Sequence, residues 1–250
     1  MPARKKTTKA PGQGMTAKQK KRRKPIDEAY MIPVEPLTHN QSIFFDEWDK
    51  GKMIYAYGVA GTGKTFVALY KALKDVLNEY TPYEKIYIVR SLVATREIGF
   101  LPGDHEDKSS LYQIPYKNMV QSMFEMPDDA SYDMLYDNLK AQETISFWST
   151  SFIRGTTLDN AIVIIDECQN LNFHELDSII TRVGQDSKIV FCGDAAQTDL
   201  QKISERSGIL DFQRILQNME EFALIEFGIE DIVRSGIVKS YLINKINLGL

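Results

Sequence analysis

Gly58-Val59-Ala60-Gly61-Thr62-Gly63-Lys64-Thr65 is a G-x-x-x-x-G-K-T loop, and its residue types suit the capture of a polyphosphate. The glycines let successive backbone N–H groups turn toward an anion with no Cβ in the way. A helix starting where the loop ends directs its positive pole to the same point. Lys64 would reach the β- and γ-phosphates as a point charge, and the Thr65 hydroxyl would take one position on a bridging Mg²⁺. About 100 residues downstream, Asp166-Glu167 close the apolar run Ala161-Ile162-Val163-Ile164-Ile165. Asp166 would hold the Mg²⁺ through its water shell, and Glu167 would polarise an attacking water. Gln197, in Gly193-Asp194-Ala195-Ala196-Gln197, can sense the γ-phosphate or align that water.

These groups meet only if several elements end at one place. The loop follows a buried-looking strand, Met53 to Tyr57, and precedes a helical pattern running to about Glu79, where Thr81-Pro82 breaks it. Ile86-Tyr87-Ile88-Val89, ending at Arg90, and Lys188-Ile189-Val190-Phe191-Cys192 read as further central strands. Open α/β sheets bind ligands at the carboxyl ends of such parallel strands, which is where Asp166 and Glu167 stand. Upstream, Thr38 or Asn40 is expected to cap a helix through Ile43–Trp48. Residues 92–117 lack a clean period and hold the turn cluster Gly99-Phe100-Leu101-Pro102-Gly103-Asp104. Helices are expected from Tyr116 to about Met126 and from about Tyr132 to Leu139, with a short strand at Thr144–Ser149. The return helix is expected at Phe173–Arg182, and Ser207-Gly208-Ile209-Leu210 are expected to precede a helix ending near Met219. A last strand, Phe222–Phe227, and a terminal helix ending near Ile246 complete the order.

The chain of 250 residues has an overall charge of −4 that hides an asymmetry. Residues 1–24 hold ten Lys or Arg and no acid, so the rest is ten charges more negative than the whole. An arm so basic, with almost nothing apolar, is expected to be disordered. It can lie along nucleic-acid phosphates, releasing counterions, or be a solvated tail or one that folds back on the acidic body. No apolar run approaches the ~20 residues that span a membrane, and the N-terminal charge is not followed by an apolar segment, so the cytoplasm is the expected compartment. Cys168 and Cys192 are expected as packing thiols, and His39, His105 and His174 show no ligand spacing.

In this order the motifs resemble those of the PhoH family, the phosphate-starvation-inducible P-loop ATPases of bacteria and many phages. The resemblance runs from about residue 38 to 240 and is carried by Gly58–Thr65, Glu97-Ile98-Gly99-Phe100-Leu101-Pro102-Gly103-Asp104, Phe152-Ile153-Arg154-Gly155-Thr156-Thr157-Leu158, Asp166-Glu167-Cys168-Gln169-Asn170, Thr181-Arg182-Val183-Gly184, Gly193–Gln197 and Ser207–Leu210. Cys168 departs from the family's usual Ala, and Ser91 from a common Pro. The resemblance implies a three-layer α/β RecA-like P-loop NTPase, a mainly parallel central sheet flanked by helices, similar to the first domain of superfamily-one helicases. Residues 31–250 would form this single domain, with an insertion at about 92–140 after a basic arm at 1–30. By the same likeness Gln41 reads the adenine of ATP, and the loop residues Gly58, Ala60, Gly61, Thr62, Gly63, Lys64 and Thr65 bind its phosphates.

Phosphoryl transfer needs a further cation on the γ-phosphate, commonly an arginine worth about 10³–10⁵ in rate. Arg234, Arg182 and Arg154 are the candidates. A two-domain helicase takes such an arginine from its second domain. With no residues left for one here, a neighbouring subunit is expected to supply it, in a homo-oligomeric ring that the resemblance implies is hexameric (in the host cytoplasm for a phage protein). The expected activity is hydrolysis of Mg-ATP coupled to RNA or single-stranded DNA. A small-molecule kinase and an ATP-switched nucleic-acid-binding module are the alternatives; the Asp166-Glu167 pair favours water as acceptor.

Overall fold

Six short apolar runs become strands, and every pairing among them is parallel. They are β1 (Met53–Gly58), β2 (Lys85–Arg90), β3 (Ile145–Trp148), β4 (Ala161–Asp166), β5 (Lys188–Gly193) and β6 (Phe222–Phe227), in the order β3-β2-β4-β5-β1-β6. β4 and β5 are buried along their whole length, which is why they read as unbroken apolar runs rather than alternating ones. The computed structural model describes residue 26 and residues 28–90, 105–153, 155–194 and 203–248. The arm over residues 1–24, the Glu97–Asp104 segment, Arg154 and Gln197 lie outside the described residues.

Strand side chains alternate between two layers. One layer receives Ile54, Ala56, Ile86, Ile88, Ile162 and Ile164. It packs them under α1 (His39–Asp49), α2 (Lys64–Leu77), α3 (His105–Gln121) and α4 (Asp129–Ala141). The other receives Tyr55, Val89, Val163, Ile165 and Phe191, under α5 (Thr150–Ile153), α6 (Phe173–Ile180) and α7 (Ile203–Gln217). The helix α8 (Gly236–Asn247) follows β6 and has no buried residue. By this parity Arg90 and Asp166, the last residues of β2 and β4, fall on the α2/α3 side, and they are register partners across the two strands.

Three local expectations are corrected. The helix expected from Tyr116 begins at His105 and carries Pro115 inside it. Proline removes one backbone hydrogen bond there, but Tyr116, Val120 and Met123, spaced four and three apart, are buried against the sheet and hold the element in place. Likewise, Ser207–Leu210 belong to α7 instead of preceding it. At the other end of the chain, the expected arm stops short of residue 30: Glu28–Tyr30 form a 3-10 turn, Ile26 packs on the core, and Asn78 Nδ2 donates to Glu28 Oε2 at 3.2 Å.

Candidate functional site

The loop between β1 and α2 closes on itself. Thr62, fully buried, donates its hydroxyl to the Val59 carbonyl at 3.0 Å. Lys64 donates to the Gly58 carbonyl (3.0 Å), the Val59 carbonyl (2.7 Å) and Thr62 Oγ1 (3.3 Å), which satisfies its three hydrogens within the loop. Burial holds its pKa below the ordinary lysine value. Gly63 caps α2 at φ 82°, a left-handed conformation suited to glycine. A Cβ there would meet Gln41 Nε2 at 3.1 Å. Among the described residues no side chain caps this helix, so its first N–H groups face the loop, the arrangement that binds anions.

Gln41 reaches the loop from α1, which Thr38 caps. Its Nε2 donates to the Thr62 carbonyl at 2.9 Å and its Oε1 accepts from the Leu37 N–H at 2.8 Å, so both ends of the amide are engaged by main chain. The segment after β6 braces the other side. Val233 N–H donates to the Gly61 carbonyl at 3.0 Å, and a Cβ on Gly61 would stand 2.9 Å from Arg234 Cγ. Asn40 ties the two braces together through Asp231 Oδ2 (2.7 Å). Burial raises the pKa of Asp231, but hydrogen bonds led by those from Asn40 and Thr38 outweigh it and hold the acid below its usual value.

β5 lies between β1 and β4, so two strand spacings, about 10 Å, separate the loop strand from the acidic one. The first turn of α2 crosses that gap. Thr65 Oγ1 donates to Asp166 Oδ1 at 2.6 Å, while Tyr116 of α3 donates its hydroxyl to Asp166 Oδ2 at 2.5 Å. Burial and then the charge of Asp166 push the Tyr116 hydroxyl far above the ordinary tyrosine range. Glu167 leaves the strand at φ 53°, ψ 42°, left-handed for a residue with a Cβ. Its Oε2 accepts from Gln169 Nε2 at 2.6 Å, and Gln169 Oε1 accepts from the Asp194 N–H at 2.9 Å. A buried glutamine thus links the acid after β4 to the end of β5.

One cavity of about 670 Å³, within the usual ligand-pocket range, joins these groups. Of the residues expected from sequence it brings together Gln41, Ala60, Gly61, Thr62, Gly63, Lys64, Thr65, Asp166, Glu167 and Arg234. Gly58 contributes its carbonyl to Lys64. Arg182 is not among them. Its carbonyl accepts from Leu158 N–H ahead of β4, so within its own chain it stands at the amino ends of the strands, the end of the sheet opposite the loop. Arg90, Asp194, Gln169 and Tyr116 were not singled out as site residues from sequence. Arg90, which lines the cavity, ends β2 as Asp166 ends β4, and that strand-end position was the available signal. Asp194 and Gln169 lie in quoted motifs. Tyr116 carries no signal at all.

A model of the PhoH-like protein family matches residues 33–244. A PhoH-like protein of Bacillus subtilis (strain 168) is 32% identical over 210 residues, 80% of this chain and 60% of that protein. One from Mycobacterium leprae is 32% identical over 206 residues, 82% of this chain and 56% of that protein. The chain therefore spans 56–60% of the length of these curated relatives. Among solved structures, the large terminase of a thermophilic bacteriophage in complex with ADP is similar at a TM-score of 0.47 and 15% identity, over 82% of this chain and 49% of that one. That likeness is too remote to bear on function.

Proposed function

We propose, given that the chain belongs to the PhoH-like protein family and is one of its P-loop NTPases, that it binds Mg-ATP and hydrolyses it to ADP and phosphate, coupled to RNA or single-stranded DNA. The observation that carries this reading is the 2.6 Å hydrogen bond from Thr65 to Asp166. Thr65 gives its one hydrogen to the carboxylate and so keeps its oxygen lone pairs for a cation. A hydroxyl and a carboxylate, oxygen donors only, fit a small hard ion such as Mg²⁺. When bound, that ion would offset charge on the phosphate oxygens.

The remaining roles belong to the chain's own groups. Lys64 would exchange the Gly58 and Val59 carbonyls for phosphate oxygens, and the uncapped start of α2 would take others. Glu167, steadied by Gln169, would accept a proton from the attacking water. Gln41 would face the base by exchanging the Leu37 or Thr62 main-chain contact. Arg234, beside Gly61, is a cation available in the same chain. Arg182 would act only from a neighbouring subunit of a ring. The basic arm would supply the phosphate contacts to nucleic acid.

Phosphate release from ATP, with and without single-stranded RNA, tests the reading, and product analysis separates hydrolysis from transfer to a small acceptor. Glu167→Gln should keep nucleotide binding and lose turnover; full turnover in that variant would overturn the role of the acid.

A further inference from the structure

We propose that Tyr116 is a positioning residue for the metal-holding carboxylate, its hydroxyl fixing which lone pairs of Asp166 face the ion. The inference rests on the Mg-nucleotide reading of the site. An ionised carboxylate has about four lone-pair positions on its two oxygens. In Asp166 each oxygen already holds one donor, and the donors come from different elements, Thr65 on α2 and Tyr116 on α3. One such bond leaves a carboxylate free to swivel, whereas two, one on each oxygen, restrict its orientation.

Tyr116 is built to hold that orientation. Its side chain is 2% exposed, and its ring packs against Phe147 with centroids 5.4 Å apart, so the hydroxyl cannot swing away without disturbing the core. One turn earlier on the same face of α3, Tyr112 carries its ring 6.0 Å from the guanidinium of Arg90. Arg90 is the register partner of Asp166. One helix turn therefore rests on both polar residues that end β2 and β4. Seating of α3 and orientation of the metal-holding acid become one event.

The test uses binding of a fluorescent ADP analogue, where no turnover intervenes. Wild-type chain and Tyr116→Phe are compared in EDTA and then across a MgCl₂ titration, with circular dichroism to confirm folding. Outer-shell partners of metal ligands commonly contribute about 10–100-fold, so Tyr116→Phe should bind in EDTA within about twofold of wild type and need about tenfold more Mg²⁺ for half-saturation. Tyr116→His, which keeps a donor at shorter reach, should fall between the two and answers the same question if the phenylalanine variant does not fold. A purely structural tyrosine would lower the unfolding temperature and leave the Mg²⁺ requirement untouched; that result overturns the inference alone. Failure of the wild-type chain to bind the analogue in Mg²⁺ would instead remove the nucleotide reading, and this inference with it.

Discussion

Truncating Glu167 to glycine and to alanine removes the same carboxylate and the same contact to Gln169, so the two variants differ only in backbone preference. At φ 53°, ψ 42° a residue with a Cβ lies in the left-handed well, destabilised by roughly 1–2 kcal/mol relative to glycine. Glycine has an opposing cost, about 0.4–1 kcal/mol, because its unfolded chain is freer. The balance makes Glu167→Gly more stable than Glu167→Ala by about 0.5–1 kcal/mol, the reverse of their order in an ordinary helix. For a chain of this size that is a difference of roughly 2 °C in Tm. Thermal unfolding followed by circular dichroism without nucleotide measures it, and phosphate release should be lost in both variants. An alanine variant as stable as the glycine one, or more so, would refute the claim that Glu167 is held under strain.

Lys188 gives a pH test. It is buried at the amino end of β5, donates to the Trp48 carbonyl at 2.9 Å and lies 4.3 Å from the Trp48 ring centroid. Desolvation lowers its pKa from 10.5 to about 8. Between these values the unfolded chain holds more protons than the folded one. Stability should therefore rise with pH across that window, by at most about 3 kcal/mol, and be lost as pH falls to 8. Urea unfolding at both ends of the window should show the rise in wild type and a smaller one in Lys188→Met. For the further cation on the γ-phosphate, Arg234→Ala should lower turnover about 10³-fold with little change in nucleotide affinity, and Arg182→Ala should match it only if that cation crosses a subunit boundary; steady-state kinetics decide. Removing residues 1–24 should flatten the salt dependence of RNA binding measured by fluorescence anisotropy, and an unchanged slope would exclude the arm from the interface.

The parallel strands were legible because β4 and β5 are buried on both faces and because the strands that meet at the site end in a change of chemistry: Gly58 opens the loop, Arg90 and Asp166 carry charge, Gly193 leads to Asp194. What failed was the start of elements whose stability is tertiary. Pro115 reads locally as a stop, and only the packing of Tyr116, Val120 and Met123 on the sheet carries α3 through it. Ser207–Leu210, set ahead of the helix from sequence, similarly lie inside α7. The acids and the loop could be paired by strand-end logic, whereas the Tyr116 bond to Asp166 joins residues fifty positions apart through a helix whose register no local pattern fixes. Arg182 illustrates the converse. Its motif suggested chemistry, and the direction of α6 carries it away from the cavity of its own chain.

The two acids that end β4 are neighbours in sequence and answer to different authorities. Asp166 is governed by α2 and α3, through Thr65 and Tyr116, whereas Glu167 is governed by Gln169 and, beyond it, the end of β5. A shift of α3 bears on the first through the Tyr116 hydroxyl, and a shift at the end of β5 bears on the second through Gln169. On the proposed function, the molecule has the makings of a clutch, able to keep a nucleotide engaged with its hydrolysis disconnected, because the two acids hang on separate linkages.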